Sequence, residues 1–189
     1  IQSAMAIVGR FKAAAVGAFT DAMNAANDFA RLTNVQESFN RTVEGMGEQA
    51  PAAFEKINAA LNGTVDDFEI MMAANRAFRS DSGITVDQLA ELFDAAQRLG
   101  KQTGEDTTAS IQKMSFALET GMTRGLKTMG ILVDTSAAAA RAAANLGKQV
   151  SELTEKEQLA AIIPEILLKS REQIAKMGDE TLNIGDKIA

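Results

Sequence analysis

Residues 85–100, Thr85-Val86-Asp87-Gln88-Leu89-Ala90-Glu91-Leu92-Phe93-Asp94-Ala95-Ala96-Gln97-Arg98-Leu99-Gly100, decide the fold class. Thr85 and Gln88 stand three apart just ahead of an apolar run. A Thr hydroxyl at that place satisfies an orphan amide of a helix's first turn, and a Gln three residues on reaches back to the Thr amide. Val86, Leu89, Ala90, Phe93, Ala96 and Leu99 then recur at three- and four-residue steps, which puts them on one face of a helix. Gly100 is expected to end this helix as a C-terminal cap.

The same grammar extends in both directions. Upstream, Ile1, Met5, Val8, Val16, Phe19, Met23, Ala26 and Phe29 keep helical spacing, with a gap at Lys12. The period continues through Val35, Phe39 and Val43, with a break expected near Asn34. Gly45 to Pro51 is the first clear interruption. Pro51 opens a short helix to about Leu61, since proline at a first helical position sacrifices no hydrogen bond. Gly63 stops it. Thr64-x-x-Asp67 is expected to cap the next helix, with Phe68, Met71, Met72 and Phe78 as its buried face.

Downstream, Ile111, Met114 and Leu118 mark a helix ending at Gly121, and a short helix near Thr123 to Met129 closes at Gly130. Ile131-Leu132-Val133 is extended. An Ala-rich helix capped by Asp134, Thr135 or Ser136 runs to Gly147. Thr154-x-x-Glu157 caps a last long helix lined by Leu159, Ile163, Ile166, Ile174 and Met177. Glu165 with Lys169, and Glu172 with Lys176, form i,i+4 pairs. Pro164 should kink that helix, Gly178 should end it, and Thr181 onward should begin another. No strand alternation and no solenoid period occur. The expectation is an all-α chain, with a long N-terminal helix (1–47, an oligomerisation or partner-binding segment) followed by a multi-helix domain (51–189).

Composition narrows the chemistry. The 189 residues carry Lys+Arg 19 against Asp+Glu 25, a net charge of −6, and contain no His, Cys, Tyr or Trp. An acidic chain without a clustered basic face does not read as a nucleic-acid clamp. Without His or Cys, the usual zinc ligands and the common nucleophile–base arrangements are missing. Adjacent acids occur at Asp66–Asp67 and Glu105–Asp106, but adjacent residues point apart on a helix and so form no facing pair for acid–base work; they read as helix starts, where negative charge is favoured. Gly100-Lys101-Gln102-Thr103-Gly104 looks faintly like a phosphate loop, yet its order is wrong and a helix precedes it. Met71 and Met72 read as core. Met122 and Met129, flanking Arg124 and Lys127, mark a segment whose default is a solvated basic face. No catalytic residue, metal ligand or cofactor is expected.

The stretch Ala4–Phe19 is apolar but broken by Arg10 and Lys12, too short for a membrane span and without a signal peptide's order. Its alternative is an amphipathic helix on a membrane surface, with partner-helix packing favoured. The opening residue, Ile1, carries the expectation of a fragment or a processed piece. The long first helix, with a continuous apolar face, leads to an expectation of self-association or of pairing with the last helix.

A specific likeness runs from Val86 to about Glu172. The run LGKQTGEDTTASIQKMSFALETGMTRGLKTMGILVD (99–134) resembles the helical region of tape measure proteins from the tails of long-tailed bacteriophages. It has a helix, a Gly-x-x-x-Gly type loop, a second helix, and a segment of the type TG-x-T-R-A-L-K-x-L-G-I. Here that segment is Thr120-Gly121-Met122-Thr123-Arg124-Gly125-Leu126-Lys127-Thr128-Met129-Gly130-Ile131. Gly125 stands where Ala is usual, and Met129 where Leu is. Leu146, Gly147, Lys148, Leu153, Thr154, Glu157 and Ala160 keep the register of the family's continuation, where Pro164 is less expected. The likeness covers somewhat under half the chain.

The resemblance implies a structural segment of a very long helical protein inside the tail tube of a phage or prophage, assembled in the bacterial cytoplasm. That family sets tail length and takes part in tail assembly and genome ejection. It implies contacts with tail tube, tail tip and tail-assembly chaperone proteins, and no enzymatic role for this segment. The competing readings are a generic helical interaction module and a membrane-active helical protein.

Overall fold

The computed structural model describes residues 30–80 and 82–177, and among them every regular element is helical. The first, α1, covers residues 30–45. It is followed by α2 (Ala50–Ala60), α3 (Asp67–Arg79), α4 (Val86–Gln102) and α5 (Thr107–Thr120). A 3-10 helix (Thr123–Met129), α6 (Thr135–Leu146), a 3-10 turn (Val150–Glu152) and α7 (Glu155–Met177) complete the order. The apolar stripe of Ile1–Phe29, the stretch Ala4–Phe19, the stop at Gly178 and the helix from Thr181 lie outside the described residues.

The central element is α4. Its capping box forms as read: the Gln88 amide donates to the Thr85 hydroxyl at 3.2 Å, and the Thr85 amide donates to the Gln88 side chain at 3.0 Å. All six residues of the expected stripe are buried, and Leu92, Ala95, Gln97 and Gly100 are buried with them. That burial is wider than an amphipathic stripe because α4 is enclosed by α2, α5, α7 and the first 3-10 helix. Gly100 does not end the helix. The chain stays helical to Gln102 and turns at Thr103, with Gly104 in the left-handed region at φ +76.

Three other expectations are corrected. The cap of α3 is Asp66, whose carboxylate accepts from the Phe68 amide at 2.9 Å. Thr64 instead donates to the Leu61 carbonyl and accepts from Gln97, so a buried partner outcompetes the capping role. The buried face of α3 is Ile70, Ala73, Ala74, Ala77 and Phe78; Met72 is exposed and Met71 is partly buried. Helix α3 packs against α5, and three of its five buried residues, Ala73, Ala74 and Ala77, are small. Finally, α1 runs through Asn34 without a break.

In the second half, the 3-10 helix Thr123–Met129 places Leu126 and Met129 in the core. Residues three apart are eclipsed in this helix type, so both face inward. Ile131 is buried and Leu132 exposed, as an extended connector demands. Asp134 caps α6 through the Ala137 amide at 2.9 Å. Thr154 and Glu157 cap α7 reciprocally. The expected stripe of α7 is buried at Leu159, Ile163 and Ile166, while Ile174 and Met177 pack partly buried against the core. The helix passes through Pro164 without ending. The i,i+4 pairs are replaced: Glu165 takes Arg141 of α6, and Lys169 takes Glu172 at 2.9 Å. Tertiary proximity supplies Glu165 with a better-placed cation than its own helix does.

Phe39 and Val43 of α1 belong to the same core as α2–α5 and α7. Phe39 meets Phe54 of α2 edge-on at 6.3 Å between ring centroids, a favoured aromatic geometry. The break at residues 46–49 therefore separates elements that share one core.

Candidate functional site

The run from Gly100 to Glu157 forms a chain of structural contacts. At its start α4 and α5 nearly touch. A Cβ on Gly100 would stand 2.0 Å from the Ser110 hydroxyl oxygen and 2.9 Å from Ser110 Cβ. Only glycine fits, which is why this residue matters inside the helix rather than at its end. Beside this crossing the Glu105 carboxylate accepts from the Ser110 hydroxyl at 3.2 Å and from the Lys113 ammonium. Lys113 reaches on to the Thr128 hydroxyl at 3.2 Å. One cation thus ties the α4–α5 loop, α5 and the first 3-10 helix together.

The next piece docks onto α7. Gly121 closes α5 at φ +73, and a Cβ there would lie 3.1 Å from Leu159 and 3.3 Å from Ile162. Gly130 turns the chain at φ +75 beside Gln173. At Gly125 an added Cβ would meet Lys113 at an ordinary 3.8 Å, so the position has room for a side chain. Met129 is 2 % exposed and fills a core position. At the end of the run Lys148 pairs with Glu157, the residue that also caps α7. The Lys148 hydrogen bond, then that from the Thr154 backbone, lowers the Glu157 carboxyl to about 2.

The acids considered for catalysis serve as caps and ion-pair partners. Asp66 and Asp106 cap α3 and α5, Asp67 lies in the first turn of α3, and Glu105 is engaged as above. Of the stretch Gly100–Gly104, Gly100 to Gln102 belong to α4, and only Thr103 and Gly104 lie in the turn that follows it. Met122 is 63 % exposed, whereas Met129 is buried, so the two ends of the basic segment face opposite environments. No charged residue is buried among the described residues, and no group of three or more acids among them is arranged to hold a metal ion. No helix of the described residues is long and apolar enough to cross a membrane.

Two arrangements escaped the sequence reading. Gln97, 2 % exposed, donates to the Leu61 carbonyl at 2.9 Å and to the Thr64 hydroxyl at 2.6 Å, and accepts from Asn62 at 3.3 Å. It fastens the α2–α3 turn to α4. Its signal was present: Gln97 lies one turn from Phe93 and less than a turn from Gly100 on the buried face. The second is a cleft of about 450 Å3 between α1, α3 and α5. Across it Glu119 receives Arg76 at 3.1 Å and Arg79 at 3.5 Å, and Gln112 donates to Glu69 at 3.0 Å. Asn75 donates to the Val35 carbonyl at 2.9 Å, while its own oxygen has no partner. Arg76 and Arg79 share the one carboxylate of Glu119, while Glu69 is met by the neutral Gln112 side chain.

Comparison with protein-family models, with curated proteins and with solved structures returned no match for this chain.

Proposed function

We propose that this chain is a structural, non-catalytic segment of a tail tape measure protein of a long-tailed phage or prophage. The observation that carries the reading is the ordered series from Gly100 to Glu157: loop, helix, TGMTRGLKTMGI segment, LGK turn and capped helix. Support also comes from what those residues do in the fold. Gly100, Glu105, Lys113, Gly121, Gly130 and Glu157 hold helices against one another, so the series is an architectural signature. Ionisable groups that stay at the surface, paired or in caps, fit a building role better than catalysis, which draws on buried, perturbed groups.

On this reading the protein works inside the tail tube and contributes to tail length, tail assembly and genome ejection. Its partners are tube, tip and tail-assembly chaperone proteins and further copies of itself; nucleic-acid sequence readout and a resident cofactor have no part. The exposed Met122 and Leu132, at 63 % and 60 %, favour a second reading, a helical protein-interaction module outside phage tails.

The test is genetic. The reading frame should continue over many hundreds of helix-rich residues beside other tail genes, and an in-frame deletion of residues 30–177 should alter tail length or abolish tails in electron micrographs. A short complete gene outside a tail cluster, or normal tails after the deletion, refutes the proposal.

A further inference from the structure

The cleft of about 450 Å3 between α1, α3 and α5 has the volume of a ligand site, and its charges are sorted along its length. Glu69 stands toward one end of the α3 wall, and Arg76 and Arg79 toward the other. Seven residues separate Glu69 from Arg76, and ten separate it from Arg79. At a helical rise of about 1.5 Å per residue, the opposite charges lie roughly 10 to 15 Å apart.

Neither end is neutralised from within. At the arginine end two guanidinium groups share the single Glu119 carboxylate, at 3.1 and 3.5 Å. The Arg79 side chain is 74 % exposed, so its planar fork is open to a second carboxylate held by paired hydrogen bonds. At the other end Glu69 accepts from the neutral Gln112 amide, which leaves its charge uncompensated among the described residues. Between the ends, Met72 and Val35 line the cleft with apolar surface. Asn34 and Ser38 of α1 line it with an exposed amide and an exposed hydroxyl.

These features select the occupant. A helix laid in the cleft has its backbone hydrogen bonds closed within itself and none to share with Asn34 and Ser38. An extended chain brings unpaired backbone amides and carbonyls, which those side chains can meet. It rises about 3.3 Å per residue, so three to four steps cover the roughly 10 to 15 Å between the charges. We infer that the cleft is a docking site for a short extended segment of a partner protein. A basic residue of the segment faces Glu69, apolar residues lie over Met72 and Val35, and an acidic residue is held by Arg79 and Arg76. The assignment does not depend on the tail reading.

Amide NMR shifts of the full chain, titrated with the peptide acetyl-Lys-Leu-Leu-Glu-amide, test it. Expected are saturable shifts confined to α1, α3 and α5, with a Kd below about 1 mM. Arg79→Glu and Glu69→Lys should each weaken binding at least about tenfold, because each sets like charges against each other. Acetyl-Lys-Leu-Leu-Gln-amide should be indifferent to Arg79→Glu, and acetyl-Gln-Leu-Leu-Glu-amide to Glu69→Lys, since each lacks the charge that the substitution opposes. Lys101→Glu alters the net charge as much as Arg79→Glu does, at an exposed position in the last turn of α4, and should leave the affinity unchanged. The assignment is overturned by the absence of saturable shifts up to about 10 mM peptide, by an Arg79→Glu variant of unaltered affinity, or by equal weakening from Lys101→Glu. Binding of a helical peptide with the two charges at i and i+7, in place of the tetrapeptide, would overturn the extended occupant.

Discussion

Helices α4 and α6 are both rich in alanine and both begin at a well-formed cap, yet they hold their places by different means. Of the 17 residues of α4, ten are buried, among them Leu92 and Phe93 at 0 % exposure. Of the 12 residues of α6, only Ala138 and Ala143 are buried. The first is fixed by packing on α2, α5 and α7; the second lies on α7 and its neighbouring 3-10 turn, with the Arg141–Glu165 pair across the contact. Helix propensity makes α6 a helix, because alanine loses little on becoming helical. Burial makes α4 immovable. The contrast teaches that local signals of equal quality can precede unequal structural roles.

The largest expected effect is at the centre. Phe93→Ala removes a fully buried ring from α4 and should destabilise by about 3–5 kcal/mol, lowering Tm by on the order of 10 °C for a chain of this size. A loss below about 1 kcal/mol in urea unfolding would break the claim that α4 is the packing centre. Gly100→Ala comes next. Alanine favours the helix by about 1 kcal/mol, but the collision with Ser110 should outweigh that gain, for a net loss within the roughly 1–3 kcal/mol typical of overpacking. The double variant with Ser110→Gly should recover more than additivity allows. A stabilised Gly100→Ala would sink the close-crossing account.

At the periphery effects should shrink. Asp134→Ala deletes the α6 cap and should cost about 1 kcal/mol, seen first as lost hydrogen-exchange protection in α6 while α4 stays protected. Simultaneous loss in both helices would show that they unfold as one unit. The smallest effect is a pH dependence at the start of α7. The folded Glu157 carboxyl sits near 2, below its ordinary 4.5. Its contribution is therefore complete above about pH 4.5 and disappears as the pH falls through about 2. An NMR titration of the Thr154 and Glu157 amides should report that step, and Glu157→Gln should remove it; a step centred near 4.5 would deny the pairing with Lys148.

Much of the helical plan was legible. Two of the caps, at Thr85 and Thr154, are local chemistry in which a side chain and an amide three residues away need no third party; for α6 the sequence left Asp134, Thr135 and Ser136 open, and the cap is Asp134. Apolar stripes such as Ile111–Met114–Leu118 were equally readable, since the period follows from 3.6 residues per turn. Thr64 was misread because Gln97, thirty-three residues distant, claims its hydroxyl. Met72 was misread because hydrophobicity says that a side chain suits burial without saying which of two apolar faces meets a neighbour. Gly100 was read as a helix end, and the reason for it became visible only when α5 was in place against it.

By itself the sequence determined the helical character of the described residues and a composition without His or Cys, with an ordered series of caps and turns in its second half. Those properties depend on residues within one or two turns of each other, or on composition alone. Tertiary structure alone decided that α4 is central and α6 peripheral, that Gly100 is a crossing point, and that Gln97 is a clamp. Each of these depends on what a side chain meets from a distant part of the chain, and close packing, unlike helical periodicity, leaves no local mark.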